Sequence, residues 1–305
     1  MPRVLRIINR FNLGGPTYNV AYLSKFMAPE FETLLVGGYK DPSEENSDFI
    51  VKNLGIEPVI IPEMRREINP GKDLITYKKI KQLIREFKPD IVHTHASKAG
   101  SLGRRAAYKC NVPIVVHTFH GHVFHSYFSP FKAGAFIRIE QNLAKISNRI
   151  IAVSENQKQE LSEVYKIAGP DKISVIPLGF DLSRFNENVK EKRKLFRKEY
   201  RIEEDEIAVA IVGRLVPVKN HETFVRAIKY AQEKSSKKVR AFIVGDGEAR
   251  NHIENTCRDL KLDFTDSRNG FKKATVTFTS WIKDIDQVYS GIDIVALTSL
   301  NEGTP

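Results

Sequence analysis

Short apolar runs alternate with longer amphipathic stretches along the whole chain. The runs at 4–8, 32–36, 58–61, 91–93, 114–118, 149–153 and 173–176 read as strands. Between them, helical spacing covers 17–26, 72–87, 98–109, 131–146 and 155–165. The stretch 72–87 is the clearest, with apolar residues at 74, 75, 77, 80, 83, 84 and 87, and Pro89 stops it. A linker follows at 177–185, then a highly charged helix at 188–200. A second series begins there, with strands at 207–212, 239–244, 275–279 and 294–297 and helices at 221–233, 248–260 and 285–290. Residues 263–273 show no period and read as a loop. Strands that are apolar throughout, rather than alternating, are buried on both faces, as in parallel sheets covered by helices. The pattern predicts α/β architecture: two Rossmann-like domains, 1–178 and 179–305, facing across a cleft. The sequence stops at Pro305, directly after a strand and a turn, so the second domain is expected to be incomplete.

Composition narrows the class. The chain has 305 residues, enough for two cores at 41% apolar content. No apolar run reaches membrane-spanning length, and Arg6 interrupts the first one, so neither a span nor a signal peptide is expected. Cys110 and Cys257 lie far apart without metal-type spacing, which favours a reducing, cytoplasmic setting. The net charge is +11. Residues 1–180 hold 25 Lys and Arg against 17 Asp and Glu, and the remainder 23 against 20. The excess in the first half points to an anionic membrane surface or an anionic substrate. The charges are scattered and carry no nucleic-acid motif, so nucleic acid is not expected as a partner.

Candidate chemistry gathers at predicted strand ends, where open α/β sheets bind their ligands. After the run Ala208–Val212 come Gly213, Arg214 and Lys219, then a helix start near Asn220. Two cations beside a helix N-terminus suit a diphosphate. Asn12-Leu-Gly14-Gly15-Pro-Thr17 follows the first strand and reads as a tight turn or as a loop whose amides approach a ligand; it is not a dinucleotide fingerprint. Gly245-Asp-Gly247 reads as a plain turn. Six of the eight histidines fall between 93 and 125: His93, His95, His117, His120, His122 and His125. His93 and His95 share a strand face. They read as structural, as ligand contacts (His120 above all, at a carboxyl edge), or as metal ligands in a hydrolase using His93, His95, His120 and His122, although Asp90 is the nearest carboxylate in sequence. The aromatic, uncharged stretch 123–131 reads as core or as an apolar loop for a lipid-linked acceptor.

Taken together, these segments resemble the retaining nucleotide-sugar glycosyltransferases of family 4, with their two-domain GT-B fold. The likeness covers nearly the whole chain. It rests on Asn12–Gly15, Asp90–His95 with Lys98-Ala-Gly100, His117-Thr-Phe-His-Gly-His122, Ile151-Ala-Val-Ser154, Val175–Asp181 and Phe185. In the second half it rests on Val212–Leu215, Lys219-Asn220, Gly245-Asp-Gly247, Trp281 and Ser299–Pro305. The histidine stretches look most like members that build capsular, exopolysaccharide or O-antigen chains. The resemblance implies transfer of a hexose from a UDP- or GDP-linked donor to a lipid-linked saccharide, without a metal or other cofactor, by a protein peripheral to the inner membrane face. It implies that Gly14, Gly15, Arg214 and Lys219 hold the diphosphate and that His120 meets the donor sugar. It implies that Glu302, with Gly303 and Trp281, serves the donor, Glu302 also steadying the cationic sugar. The family's second glutamate would fall at position 310, so little turnover is expected from these 305 residues. A nucleotide-sugar 2-epimerase of the same fold, with Glu140 as its candidate acid or base, and a non-catalytic sugar-nucleotide-binding fragment stand as alternatives.

Overall fold

A computed structural model describes residues 1–12, 14–40, 47–121, 130–270, 272–300 and 302. The chain divides between Phe180 and Asp181 into two compact units.

The first unit runs β1 (Arg3–Arg10), α1 (Gly15–Phe26), β2 (Glu32–Gly38), α2 (Asp48–Asn53), β3 (Val59–Ile60), α3 (Pro70–Phe87), β4 (Ile91–His95), α4 (Ser97–Lys109), β5 (Ile114–Phe119), α5 (Pro130–Lys145), β6 (Arg149–Ala152), α6 (Glu155–Gln159) and β7 (Ile173–Val175). The seven strands form one parallel sheet in the order β3-β2-β1-β4-β5-β6-β7. Every residue from Val4 to Ile8 is buried, including Arg6. Leu5, Ile7, Val36, Ile80, Ile84, Val92 and Val115 form a core with Ala99, Ala106 and Ala107 of α4. Each large apolar side chain there contributes about 1.5–3 kcal/mol of burial. Small residues let α4 lie close on the sheet: a Cβ at Gly103 would sit 2.7 Å from Thr94 Cγ2 and 3.1 Å from Ile7 Cδ1. Asn69 caps α3 by accepting the Lys72 amide at 3.0 Å, and Pro70 follows as its first residue.

Two details depart from the sequence pattern. The stretch 155–165 is not one α-helix. α6 ends at Gln159 and gives way to a π-helical turn, Glu160–Val164, closed by Ile167 N–H donating to Leu161 O at 2.8 Å. The wider turn brings Leu161, Tyr165 and Ile167 into one core cluster. α2 was not legible, because six residues are too few to show a helical period.

The second unit runs α7 (Ser183–Asn186), α8 (Val189–Glu199), β8 (Ile207–Val212), α9 (His221–Lys234), β9 (Val239–Val244), α10 (Arg250–Asp259), β10 (Phe264–Asp266), β11 (Val276–Ser280), α11 (Ile285–Gly291) and β12 (Ile294–Ala296). Its sheet is parallel in the order β10-β11-β9-β8-β12. The expected loop at 263–273 holds the edge strand β10, which pairs Phe264 with Val276 and Asp266 with Phe278. Phe264 packs on the main core of this unit and meets the Phe278 ring edge-on. α8 and α11 dock through Phe196 and Gly291, where a Cβ would stand 2.2 Å from the ring. Among the described residues, no helix is long and apolar enough to cross a membrane.

Candidate active site

In the first unit, the sequence motifs converge at the carboxyl edge of β1, β4 and β5. Register places Arg6 beside His93 and Ile8 beside His95. Among the described residues the buried Arg6 has no carboxylate partner; its Nη1 donates to His93 Nδ1 at 2.7 Å. A guanidinium only donates, so His93 Nδ1 must accept, which puts the His93 proton on Nε2. That nitrogen donates to Thr118 Oγ1 at 2.7 Å. His95 stacks on His120, with Nδ1 and Nε2 2.9 Å apart. Whichever ring donates, His95 Nε2 and His120 Nδ1 are left buried without a partner among the described residues. Burial pushes His93, His95 and His117 well below the usual histidine range and His120 down to about 4. All four rings are therefore neutral at physiological pH. Burial also lowers Arg6 to about 10, so it stays charged.

This geometry bears on the hydrolase alternative. Both His93 nitrogens are engaged, one of them by a cation that would repel a metal ion. His122 and His125, like the aromatic stretch 123–129, lie outside the described residues. Among the described residues, no group of three or more His, Cys, Asp or Glu is placed to hold a metal. Glu140, the epimerase candidate, is buried and ion-paired to Arg104 at 2.6 Å. Arg104 also donates to Gly100 O at 2.9 Å, and a Cβ at Gly100 would collide with His117 Cε1 at 2.5 Å. That carboxylate is committed to structure.

The loop from β1 to α1 behaves differently. Gly14 has an extended backbone, with φ of 164°, that any residue adopts. Among the described residues, a Cβ on Gly14 would meet only Pro16 Cδ, at 3.8 Å, and one on Gly15 would meet nothing within 4 Å. Neither local strain nor packing explains this glycine pair. The loop nonetheless closes as a turn before α1, with Thr17 N–H donating to Gly14 O at 3.1 Å and Thr17 Oγ1 donating to Asn12 O at 2.6 Å.

In the second unit, β8 delivers Gly213 and Arg214 to the sheet edge. The flanking backbone is clamped to the next loop: Gly213 N–H donates to Val244 O at 2.9 Å and Leu215 N–H to Asp246 O at 3.0 Å. Gly245 and Gly247 make that clamp possible, since Cβ atoms there would lie 2.0 Å from Gly213 O and 2.5 Å from Leu215 O. Their turn is structural, and what it fixes is the position of the Arg214 backbone. Lys219 ends a short 3-10 turn, Pro217–Lys219, before α9. The segment after β12 folds onto this turn: Thr298 Oγ1 donates to Lys219 O at 3.1 Å and to Asn220 O at 2.9 Å, and Leu300 N–H donates to Val218 O at 2.8 Å. This brings Glu302 into an ion pair with Lys219. His221, the first residue of α9, is buried with both ring nitrogens unpartnered among the described residues; burial, with Lys219 beside it, lowers it to about 4. Trp281 is half-buried just past β11, while Gly303 lies outside the described residues.

The sequence reading missed a charged cluster at the ends of β9, β10 and β11. Asp246 accepts from Arg268 at 3.0 Å and Ser280 at 3.3 Å, and Asp266 accepts from Arg250 at 2.7 Å. Ser280 carries a left-handed backbone, φ 59°, as does Ala96 at the end of β4, φ 66°. Such strain concentrates at ligand-binding edges. Asp266-Ser267-Arg268, an Asp-led turn in which Asp266 accepts the Arg268 amide, was the one signal available.

Comparison with known proteins shows the family and the fold. Residues 13–184 match the Glycosyltransferase Family 4 model, and residues 192–305 match Glycosyl transferases group 1. The chain is 35% identical over 252 residues to an Escherichia coli UDP-Gal:alpha-D-GlcNAc-diphosphoundecaprenol alpha-1,3-galactosyltransferase, covering 82% of this chain and 62% of that protein. It is 29% identical over 198 residues to the Staphylococcus aureus capsular polysaccharide biosynthesis glycosyltransferase CapM, covering 64% of this chain and 50% of that protein. Its fold matches Anabaena HepE, solved in complex with UDP-glucose, at a TM-score of 0.74 and 21% identity, over 97% of this chain and 74% of HepE. The chain belongs to the family 4 glycosyltransferases and has their GT-B fold, two Rossmann-like units in one polypeptide.

Proposed function

We propose that this chain binds a nucleotide-diphosphate sugar and takes part in moving its hexose, with retained anomeric configuration, to a lipid-linked saccharide. One observation carries the reading: Lys219 and Glu302, 83 residues apart in sequence, meet at the strand edge that also presents Arg214. A lone lysine on a loop needs no such partner. A lysine aimed at a phosphate and a glutamate aimed at sugar hydroxyls gain from being held together, since each fixes the other's direction.

The chemistry follows from charge. The bond from the anomeric carbon to the diphosphate breaks, and negative charge grows on the departing phosphate oxygen. Arg214 and Lys219 neutralise it, so no metal is required. The acceptor hydroxyl attacks the same face of the sugar and gives its proton to the leaving phosphate. Glu302 accepts from sugar hydroxyls and steadies the cationic ring; Gly303 and Trp281 belong to the same donor surface. In the first unit, the Gly14 and Gly15 amides approach the diphosphate, and the neutral His120 ring offers its unpartnered Nδ1 to a sugar hydroxyl. The UDP in the HepE complexes and in the E. coli relative's name supports a UDP-linked donor, and that relative's diphosphoundecaprenol substrate supports a lipid carrier. The basic first half of the chain suits the cytoplasmic face of an anionic membrane.

Product analysis tests this. The chain is incubated at high concentration with UDP-galactose and a polyprenyl-diphosphate-linked N-acetylglucosamine. In keeping with the little turnover expected of these residues, a small yield of α-linked disaccharide on the lipid is expected. A free epimerised nucleotide sugar as the product would replace the transferase reading with the epimerase one.

A further inference from the structure

A second charged site lies at the other end of the first unit. Arg138, Gln141, Asn142 and Lys145 share one face of α5, at spacings of three, four and seven residues. With Lys166, Gly169 and Lys172 from the segment after the π turn, they line a groove of about 380 Å³. Four cations line it, and among the described residues no carboxylate does. Glu140, on the same helix, turns inward to Arg104.

Elsewhere in this unit lysines sit against acids, as Lys72 with Glu67, Lys79 with Glu63 and Lys98 with Asp73. The four groove cations make no ion pair or side-chain hydrogen bond among the described residues. Ala168 and Gly169 are also lining residues, and their amides donate to nothing within the described chain. The framework is fixed around them: Gln141 Nε2 donates to Tyr165 O at 3.0 Å, and Lys172 N–H donates to Gly169 O at 3.0 Å. Grouping like charges around one hollow costs folding free energy, and a bound anion offsets that cost. Cations combined with free amides are the chemistry that holds phosphate.

The groove is not part of the transfer edge. Lys145 ends α5 just before β6, and Lys172 stands just before β7, so both lie at the amino ends of parallel strands. His120 lies past the carboxyl end of β5. At about 3.3 Å per strand residue the two edges are on the order of 15 Å apart.

We propose that this groove is a phosphate-binding site remote from the transfer chemistry, holding the phosphate of an anionic lipid headgroup or of a free phosphate compound. The test needs no turnover, so it is independent of the transferase reading. The probes are inorganic phosphate, followed through the Ala168 and Gly169 amide NMR signals, and phosphatidylcholine vesicles with and without phosphatidylglycerol, followed by sedimentation. The combined variant Arg138→Gln, Lys145→Gln, Lys166→Gln is compared with a charge-matched control, Lys78→Gln, Arg105→Gln, Lys109→Gln, both checked for an unchanged melting temperature. At about fivefold per cation, the groove variant is expected to lose about a hundredfold in affinity for the phosphatidylglycerol vesicles, and the control far less. Saturable phosphate shifts without a vesicle difference would assign the site to a soluble phosphate compound. Vesicle loss without phosphate shifts would assign it to the lipid. Equal vesicle binding by both variants, with the two amides unmoved by phosphate, would overturn the proposal.

Discussion

His120 draws its properties from the residues behind it. Arg6 fixes the His93 tautomer, His93 and His95 lie with ring centroids 4.2 Å apart, and His95 contacts His120 through a ring nitrogen. The groups facing His120 are thus neutral rings, with one guanidinium behind them and Arg104 paired to Glu140 to the side. A consequence appears in acid. The unfolded rings take up protons near 6.5, while folded His120 resists until about 4 and burial holds His93, His95 and His117 well below 6.5. In that window the unfolded chain binds more protons, so stability rises with pH and is lost as acid is added below about 6.5. The urea midpoint of the wild-type chain is expected to fall steadily from pH 6.5 to 4. A midpoint constant over that window would mean that these rings are not buried in their neutral form. The two glycine sites make a second pair of expectations. Gly245→Ala sets a Cβ 2.0 Å from Gly213 O at a φ of 139°, and strain of this kind costs about 1–3 kcal/mol, so the melting temperature should drop by several degrees. Gly15→Ala meets nothing among the described residues and should leave the melting temperature nearly unchanged while weakening donor binding. Calorimetric melts and donor titrations of the two variants check both statements.

At the scale of elements, the long periodic segments were legible and the short ones were not. β1, β4, β5, β8, β9 and α3 follow directly from apolar runs and helical spacing, because each buries a full stripe of side chains. β10 has three residues and takes its place from pairing with β11, which no local pattern encodes. The π turn at Glu160–Val164 depends on Leu161 and Ile167 meeting in the core, a tertiary effect. The placement of the candidate residues was legible: His120 directly follows β5, Arg214 lies two residues past β8, and Lys219 and Glu302 lie on the loops after β8 and β12. What could not be read was their company. That Glu302 reaches Lys219, that Glu140 is spent on Arg104, and that Gly245 and Gly247 clamp the Arg214 loop are all contacts between distant segments. Restoring bulk at the clamp should therefore move Arg214 without touching it: Gly247→Ala is expected to reduce donor affinity alongside stability, as a titration of the folded variant would register.

At the scale of the whole molecule, the chain spans 62% of the E. coli relative and 50% of CapM. Under the proposed reading, donor binding is the property to measure first, because Arg214, Lys219 and Glu302 all lie within the chain. Loss of one preorganised cation at a developing charge costs roughly 10²–10³ in rate, and part of that cost is already felt in ground-state binding of a diphosphate. The direct test is calorimetric titration of UDP-galactose and UDP-glucose into the wild-type chain and into Arg214→Ala and Lys219→Ala. Saturable binding by the wild type to at least one donor, weakened about tenfold or more in each variant, is the predicted result. Equal affinity in all three proteins would contradict the assignment of these cations to the donor diphosphate.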